Sequence, residues 1–229
     1  MRTKKTRKKR TELDASTPQT AHRCMRCGTC CRKGGPALHE EDNKILLAGH
    51  IEREHLITIR KGELAFSPLS NRLEPIEREF IKIAGKGKGW VCCFFDEKKS
   101  TCTIYAHRPL ECRLLKCWDT AELLSVIGQK TLSRADIISK DDPILKFIKT
   151  HEKECSLEKT EGLISALLRG KDNEALLEKL TSLVQRDLTL RSQAIAKFGL
   201  SLEEELFIFG RPLFKILGAR GFQLDKIAG

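Results

Sequence analysis

Apolar and polar positions alternate most clearly around Lys61-Gly62, with Ile57 and Ile59 before the turn and Leu64 and Phe66 after it. Period-two alternation on both sides of a glycine predicts a small β-hairpin over about 57–66. Upstream, Ile45, Leu46 and Ile51 predict a helix from about Glu40 to Glu54, weakened by Gly49. Residues 76–84 (IEREFIKIA) fit helix and strand equally well. Beyond residue 117 the period becomes helical. Asp142-Pro143 is a start signal, an N-cap followed by proline at the first helical position. Ile144, Phe147, Ile148, His151 and Cys155 then share one face, which assigns Cys155 to the core and demotes His151 as a ligand. A longer helix is predicted over about 174–199, with Leu177, Leu180, Val184, Leu188, Ile195 and Phe198 in one stripe. Ser201 and Glu204 form a capping box that opens a last helix through LFIFG. The closing segment, 210–229, mixes apolar residues with glycine and is expected to be loosely ordered or docked.

Composition limits the function classes. The 229 residues suffice for one large domain or two small ones. No apolar run approaches the roughly 20 residues of a membrane span, and no apolar stretch follows the basic N-terminus as in a secretory signal. These readings lead to the expectation of a cytoplasmic protein. The net charge of +11 is concentrated in the first ten residues, which hold seven cations and no acid, leaving +4 for the rest. Residues 1–21 therefore read as a disordered basic arm. Such an arm touches RNA, ribosomes or acidic lipid, or serves only solubility. The AGKGKGW run, 84–90, lacks the spacing of a nucleotide-binding loop and reads as a flexible basic loop ahead of the next cysteines.

The chemistry lies in the thiols. Nine of the ten cysteines fall between positions 24 and 117: Cys24, Cys27, Cys30, Cys31, Cys92, Cys93, Cys102, Cys112 and Cys117. In a reducing compartment such clustering points to metal rather than to disulfides. Thiols at i and i+3 converge on one ion across a tight turn, and four thiolates complete a tetrahedral shell. Adjacent side chains diverge, so Cys30 and Cys31 are expected to serve different ions, or only one of them to be a ligand. The first group then needs partners from Cys92, Cys102, Cys112 or Cys117. Thiolates suit zinc and iron–sulfur clusters alike. His22 and His107 are further ligand candidates. Arg108 and Arg113 are placed to donate hydrogen bonds to thiolates, or to pair with Glu111 or Asp119.

The strings CMRCGTCC and WVCCFFDEKKSTCTIYAHRPLECR resemble the YkgJ-type cysteine-cluster family, described as a zinc- or iron-chelating domain. The matching positions are Cys24, Cys27, Cys30, Cys31, Cys92, Cys102, Tyr105, Arg108, Pro109, Cys112 and Arg113, within about 22–118. The resemblance implies metal chelation, with an iron–sulfur cluster or zinc as cofactor. One relative, the flagellin lysine methylase type, implies that the module can sit within a methyl-transfer enzyme. Cys93 and Cys117 go beyond the core pattern.

The expected fold is mainly α with a small β element, a metal-stapled, irregular N-terminal half packed on a helical C-terminal half. Its parts are the arm 1–21, a cysteine-cluster region 22–118 and a helical region 119–229. The expected metal ligands are Cys24, Cys27, Cys30, Cys31, Cys92, Cys102, Cys112 and Cys117, with Tyr105, Arg108 and Arg113 at the cofactor. The leading function is metal binding through this array, with the C-terminal helices as packing support or as a surface for a protein partner. The alternatives are a cluster-dependent methyl-transfer or redox enzyme, and a nucleic-acid-binding module using the basic arm.

Overall fold

The computed structural model describes residues 24–170 and 173–222. About half of these are helical, and the strands form small antiparallel sheets. The basic arm and His22 lie outside the described residues.

A 3-10 turn, Glu40–Asp42, runs into α1 (Asn43–Leu47). The helix expected over 40–54 stops there. Gly49 adopts φ +72°, a left-handed backbone that glycine reaches without steric cost, and Leu47 just before it is exposed.

Four strands follow, β1 (Leu56–Ile59), β2 (Leu64–Ser67), β3 (Arg72–Pro75) and β4 (Phe80–Ile83). The segments expected to form a hairpin are both strands, but not with each other. β1 pairs antiparallel with β4, Leu56 opposite Ile83, and β2 with β3, Leu64 opposite Pro75. The cause is the corner between β1 and β2. Arg60 is fully buried and binds Glu152 through Nε and Nη2, both at 3.0 Å. Glu63, also buried, accepts from Arg211 Nε at 2.6 Å. Both side chains are held by partners more than 80 residues away in sequence, so the chain turns a corner where a simple hairpin would fold back. The ambiguous segment 76–84 resolves into β4.

Short ladders come next: β5 (Gly85–Lys86) with β6 (Val91–Cys92), and β7 (Phe95–Asp96) with β8 (Thr101–Cys102). The remaining elements are helices α2 (Leu110–Leu114), α3 (Ala121–Val126), α4 (Arg134–Ile137), α5 (Ile144–Glu154), α6 (Leu157–Leu168), α7 (Asn173–Phe198), α8 (Leu202–Phe209) and α9 (Leu213–Ala219). The start signals act as read. The Ile144 amide donates to Asp142 Oδ1 at 3.0 Å. Ser201 and Glu204 exchange bonds of 3.0 Å at the start of α8. The segment after 210 is docked through α9, whose Leu213 and Leu217 are fully buried.

The stripe on α7 departs from expectation. Leu180 and Val184 are buried, but Leu188 is exposed, and the inward positions continue as Asp187, Leu190, Arg191 and Ala194. Helical spacing allows this continuation. Apolar periodicity alone misses it because two of the inward residues are charged.

The two halves share a core. All four residues of β1 are buried between β4 and α8. Leu38, Leu56 and Ile81 from the first half pack in one cluster with Ile144, Phe207 and Phe209 from the second. Each such side chain contributes roughly 1.5–3 kcal/mol when removed from water. Polar groups fix the joint. The last carbonyls of α8 would be orphans in a buried helix end. Thr58 donates to the Phe207 carbonyl, Arg134 Nη1 to Ile208 at 2.6 Å, and Arg191 to Phe209 at 3.2 Å and Gly210 at 3.1 Å. Two of these donors are cations at the negative end of the helix dipole. Among the described residues, no helix is long and apolar enough to cross a membrane.

Candidate metal centre

The first thiols lie on a loop shaped by unusual backbone. Arg26 (φ 55°) and Gly28 (φ 77°) both adopt left-handed conformations. Gly28 is also pressed against Phe95, where an added Cβ would sit 2.1 Å from the ring. The loop closes when the Arg32 amide bonds the Gly28 carbonyl at 2.9 Å and Arg32 Nη1 bonds the Cys27 carbonyl at 3.1 Å. Cys30 is in the right-handed helical region and leads into a 3-10 turn, Cys31–Lys33. Cys92 and Cys102 are delivered by the short ladders, Cys92 opposite Gly85 and Cys102 opposite Phe95.

Cys112 sits on α2, whose position is set by buried acids. Asp42 Oδ1 accepts from the Leu110 amide at 2.8 Å. The carboxylate of Glu111 accepts from the Ala37 amide at 2.9 Å and meets His39 Nε2 at 3.3 Å. That contact raises the His39 imidazole above its ordinary range, against the opposing effect of burial. Cys117 follows in the turn joining α2 to α3.

These elements enclose a cavity of about 380 Å³, walled by Cys24, Cys27, Cys30, Cys31, Cys92, Cys102, Cys112 and Cys117. All eight cysteines expected as ligands thus line one space, although they come from separate stretches of chain. Cys92 is buried, Cys30, Cys31, Cys102 and Cys112 are half-buried, and Cys24, Cys27 and Cys117 are exposed at the rim. The Sγ atoms of Cys30 and Cys31 are 3.9 Å apart. Two thiolates on one tetrahedral ion, each near 2.3 Å from it, are separated by about 3.8 Å. The expected divergence of these neighbours does not occur, because a helical turn keeps both side chains on the cavity side.

The electrostatics follow from the crowding. Burial, then the neighbouring Cys30, Cys92 and Cys102, push the Cys31 thiol up to about 12. Burial and the surrounding thiols also raise Cys102, and Cys112 well above its ordinary value. Cys92 is lowered to about 7, chiefly by the Cys93 side chain and, less strongly, by Lys86 and Lys82. Desolvation and like charge oppose joint ionisation of these groups, and a cation among them offsets both. The donor set therefore fits zinc or iron.

Of the residues expected beside a cofactor, Tyr105 and Arg108 line the cavity and Arg113 does not. Tyr105 is held between two guanidinium groups, Arg26 at 4.1 Å and Arg108 at 3.8 Å from its ring centre. Arg113 turns outward to Glu41 and donates to the Arg108 carbonyl at 3.1 Å. Its acidic partner is Glu41, not Glu111 or Asp119. His107 is exposed and stacks on His50 outside the cavity. Cys93 does not line the cavity; it sits in the turn after β6, its Sγ 4.0 Å from the His55 carbonyl, and reaches the centre only through its contact with Cys92. Arg26, His39 and Asp42 carry no local sequence signal that marks them as part of the centre, and no periodicity links Glu111 to His39.

Cys155 is buried among the C-terminal helices, and burial pushes its thiol up to about 12. With His151 and Asp187 it forms the one group of three donors within 4.8 Å of one another among the described residues. Both Asp187 oxygens are already committed. Oδ1 takes His151 Nε2 at 2.6 Å and Arg191 Nε at 2.9 Å, and Oδ2 takes the Leu213 amide at 2.9 Å. The group is a polar joint between α5, α7 and α9.

Comparisons with known proteins agree with the array. A family model described as "Putative zinc- or iron-chelating domain", and called CxxCxxCC, matches residues 23–156. An uncharacterized protein of Methanocaldococcus jannaschii is 30% identical over 108 residues, which is 46% of this chain and 50% of that protein. The chain thus spans about half the length of the curated relative it matches. No solved structure matches.

Proposed function

Since the chain belongs to the CxxCxxCC family of zinc- or iron-chelating domains, we propose that its cysteine cavity is a polynuclear thiolate centre for zinc or iron. The observation that carries this reading is the meeting of eight thiols, from residues 24–31, 92, 102, 112 and 117, around one cavity of about 380 Å³. One tetrahedral ion takes four thiolates, so eight call for two ions or a cluster. Cys30 and Cys31, at 3.9 Å, have the separation of two ligands on one ion. Among the described residues no three of these sulfurs lie within 4.8 Å of one another, so in this reading the thiols draw together as metal enters. Arg26 and Arg108 lie where they offset the negative charge of the thiolates. In this reading the metal staples the N-terminal half to itself. In this reading the thiols are kept reduced, as a cytoplasmic setting would keep them.

Anaerobic purification with metal quantification and visible absorption tests the proposal. Two or more zinc or iron atoms per chain are expected. Colour and acid-labile sulfide mark an iron–sulfur cluster, and a colourless zinc protein marks a zinc–thiolate centre. A folded chain with less than one metal atom rejects the reading.

A second reading, a metal-dependent enzyme, draws on the cavity's volume. It lies within the roughly 300–1,000 Å³ of small-molecule sites, and Tyr105 and Arg108 give it a polar wall. Methyl transfer predicts heat on titrating S-adenosylmethionine into the metal-replete protein, and no heat removes that version.

A further inference from the structure

A second concavity, about 480 Å³, lies against the Tyr105–His107 turn and α1, on the outer side of the metal cavity's wall. Its charged and basic lining consists of Lys44, His50, His107, Arg108 and Arg113, with Glu41 as the one carboxylate. Glu41 is shared between two cations, bonded to Arg113 and 3.9 Å from Lys44. Asp42 stands behind Arg113 at 4.0 Å and is committed to the Leu110 amide. The Arg108 guanidinium lies over the Tyr105 ring at 3.8 Å, and its Nε is held by the Tyr105 carbonyl at 3.0 Å. The His50 and His107 rings stack face to face, 3.5 Å between centres and 14° between planes. Stacking occupies their faces and leaves the nitrogen edges free to donate.

We infer that this pocket binds the phosphate group of a small molecule. Three permanent cations against two carboxylates, Glu41 and the Asp42 behind Arg113, leave an excess of positive charge, and a concave wall focuses that field onto an anion. A planar guanidinium fork, an ammonium and two imidazole edges match the several oxygens of a tetrahedral oxyanion. Arg108 lines both cavities, so an anion held here touches the wall of the metal centre. The inference stands without the metal reading, since none of its donors is a thiol.

The test is calorimetric titration of the metal-replete full chain with sodium phosphate and, at matched ionic strength, sodium chloride. Saturable heat from phosphate alone is expected. The double variant Lys44→Gln/His107→Gln, both exposed positions, should weaken it at least about tenfold, since it loses the Lys44 ammonium and an imidazole donor, with metal content unchanged. Adenosine monophosphate and inorganic phosphate distinguish an esterified from a free phosphate by which binds more tightly. No saturable phosphate heat, the same heat with chloride, or undiminished binding by the double variant overturns the inference.

Discussion

Removing the metal should unfold one part of the protein and spare another, and the structure sets the scale. Between Cys24 and Pro36 no apolar side chain is fully buried; the only buried residues there are Gly28 and Gly35. Ordering these thirteen residues costs about 1–2 kcal/mol each in backbone entropy, or roughly 13–26 kcal/mol. A structural zinc site is worth roughly 10–16 kcal/mol in peptides, a sum of the same size, and little else on the loop opposes the cost. β1, by contrast, is fully buried between β4 and α8, and none of its residues lines the cavity. Chelation under reducing conditions, followed by hydrogen exchange with mass detection, should therefore expose amides 24–36 within seconds to minutes. Amides of Leu56–Ile59 should keep their protection. If metal loss is verified and residues 24–36 remain protected, the stapling argument fails. If β1 opens together with the loop, the division of the molecule into metal-held and core-held parts fails instead.

Further outcomes concern the frame around the centre. Arg134→Met removes the bonds to the Ile208 carbonyl, Glu79 and Glu152; urea denaturation should show a loss of about 3–5 kcal/mol, since breaking a buried pair strands its partners. Gly28→Ala forces a Cβ into the Phe95 ring at a left-handed position and should cost about 1–3 kcal/mol and lower the metal content per chain. Burial, and then Arg60 and Arg191, depress the His151 imidazole to about 4 despite its bond to Asp187. The unfolded chain therefore takes up a proton near pH 6.5 that the folded chain refuses until about 4, and stability should fall as pH drops through that window. The loss is at most about 3 kcal/mol, and thermal melts of His151→Gln should be flatter over the same range. Asp187, held below the ordinary carboxylate range by His151 and Arg191, adds a loss only at lower pH, as it is protonated in the fold.

How much of this was legible in the sequence depended on range. Local signals held: Asp142-Pro143 opens α5, Ser201 and Glu204 cap α8, and the apolar face of α5 carries Cys155 inward. The cysteine spacing picked out the eight thiols that line one cavity. What failed was set by distant partners. β1 left its neighbour β2 for β4 because Arg60 and Glu63 are bonded to Glu152 and Arg211. Asp187 and Arg191 hid from an apolar periodicity search, although they occupy the inward face of α7. Arg113 was aimed at the thiolates by its place beside Cys112, but Glu41 holds it outside. Charged side chains carry no pattern that announces a partner a hundred residues away.

The capture of α8's carbonyls by Thr58, Arg134 and Arg191 orders events during synthesis. The strand that supports the thiol-bearing half is finished only when residues 202–210 leave the ribosome, about 85 residues after the last cavity cysteine. A nascent chain therefore carries the eight cavity cysteines through about 85 further residues of synthesis before that strand is covered.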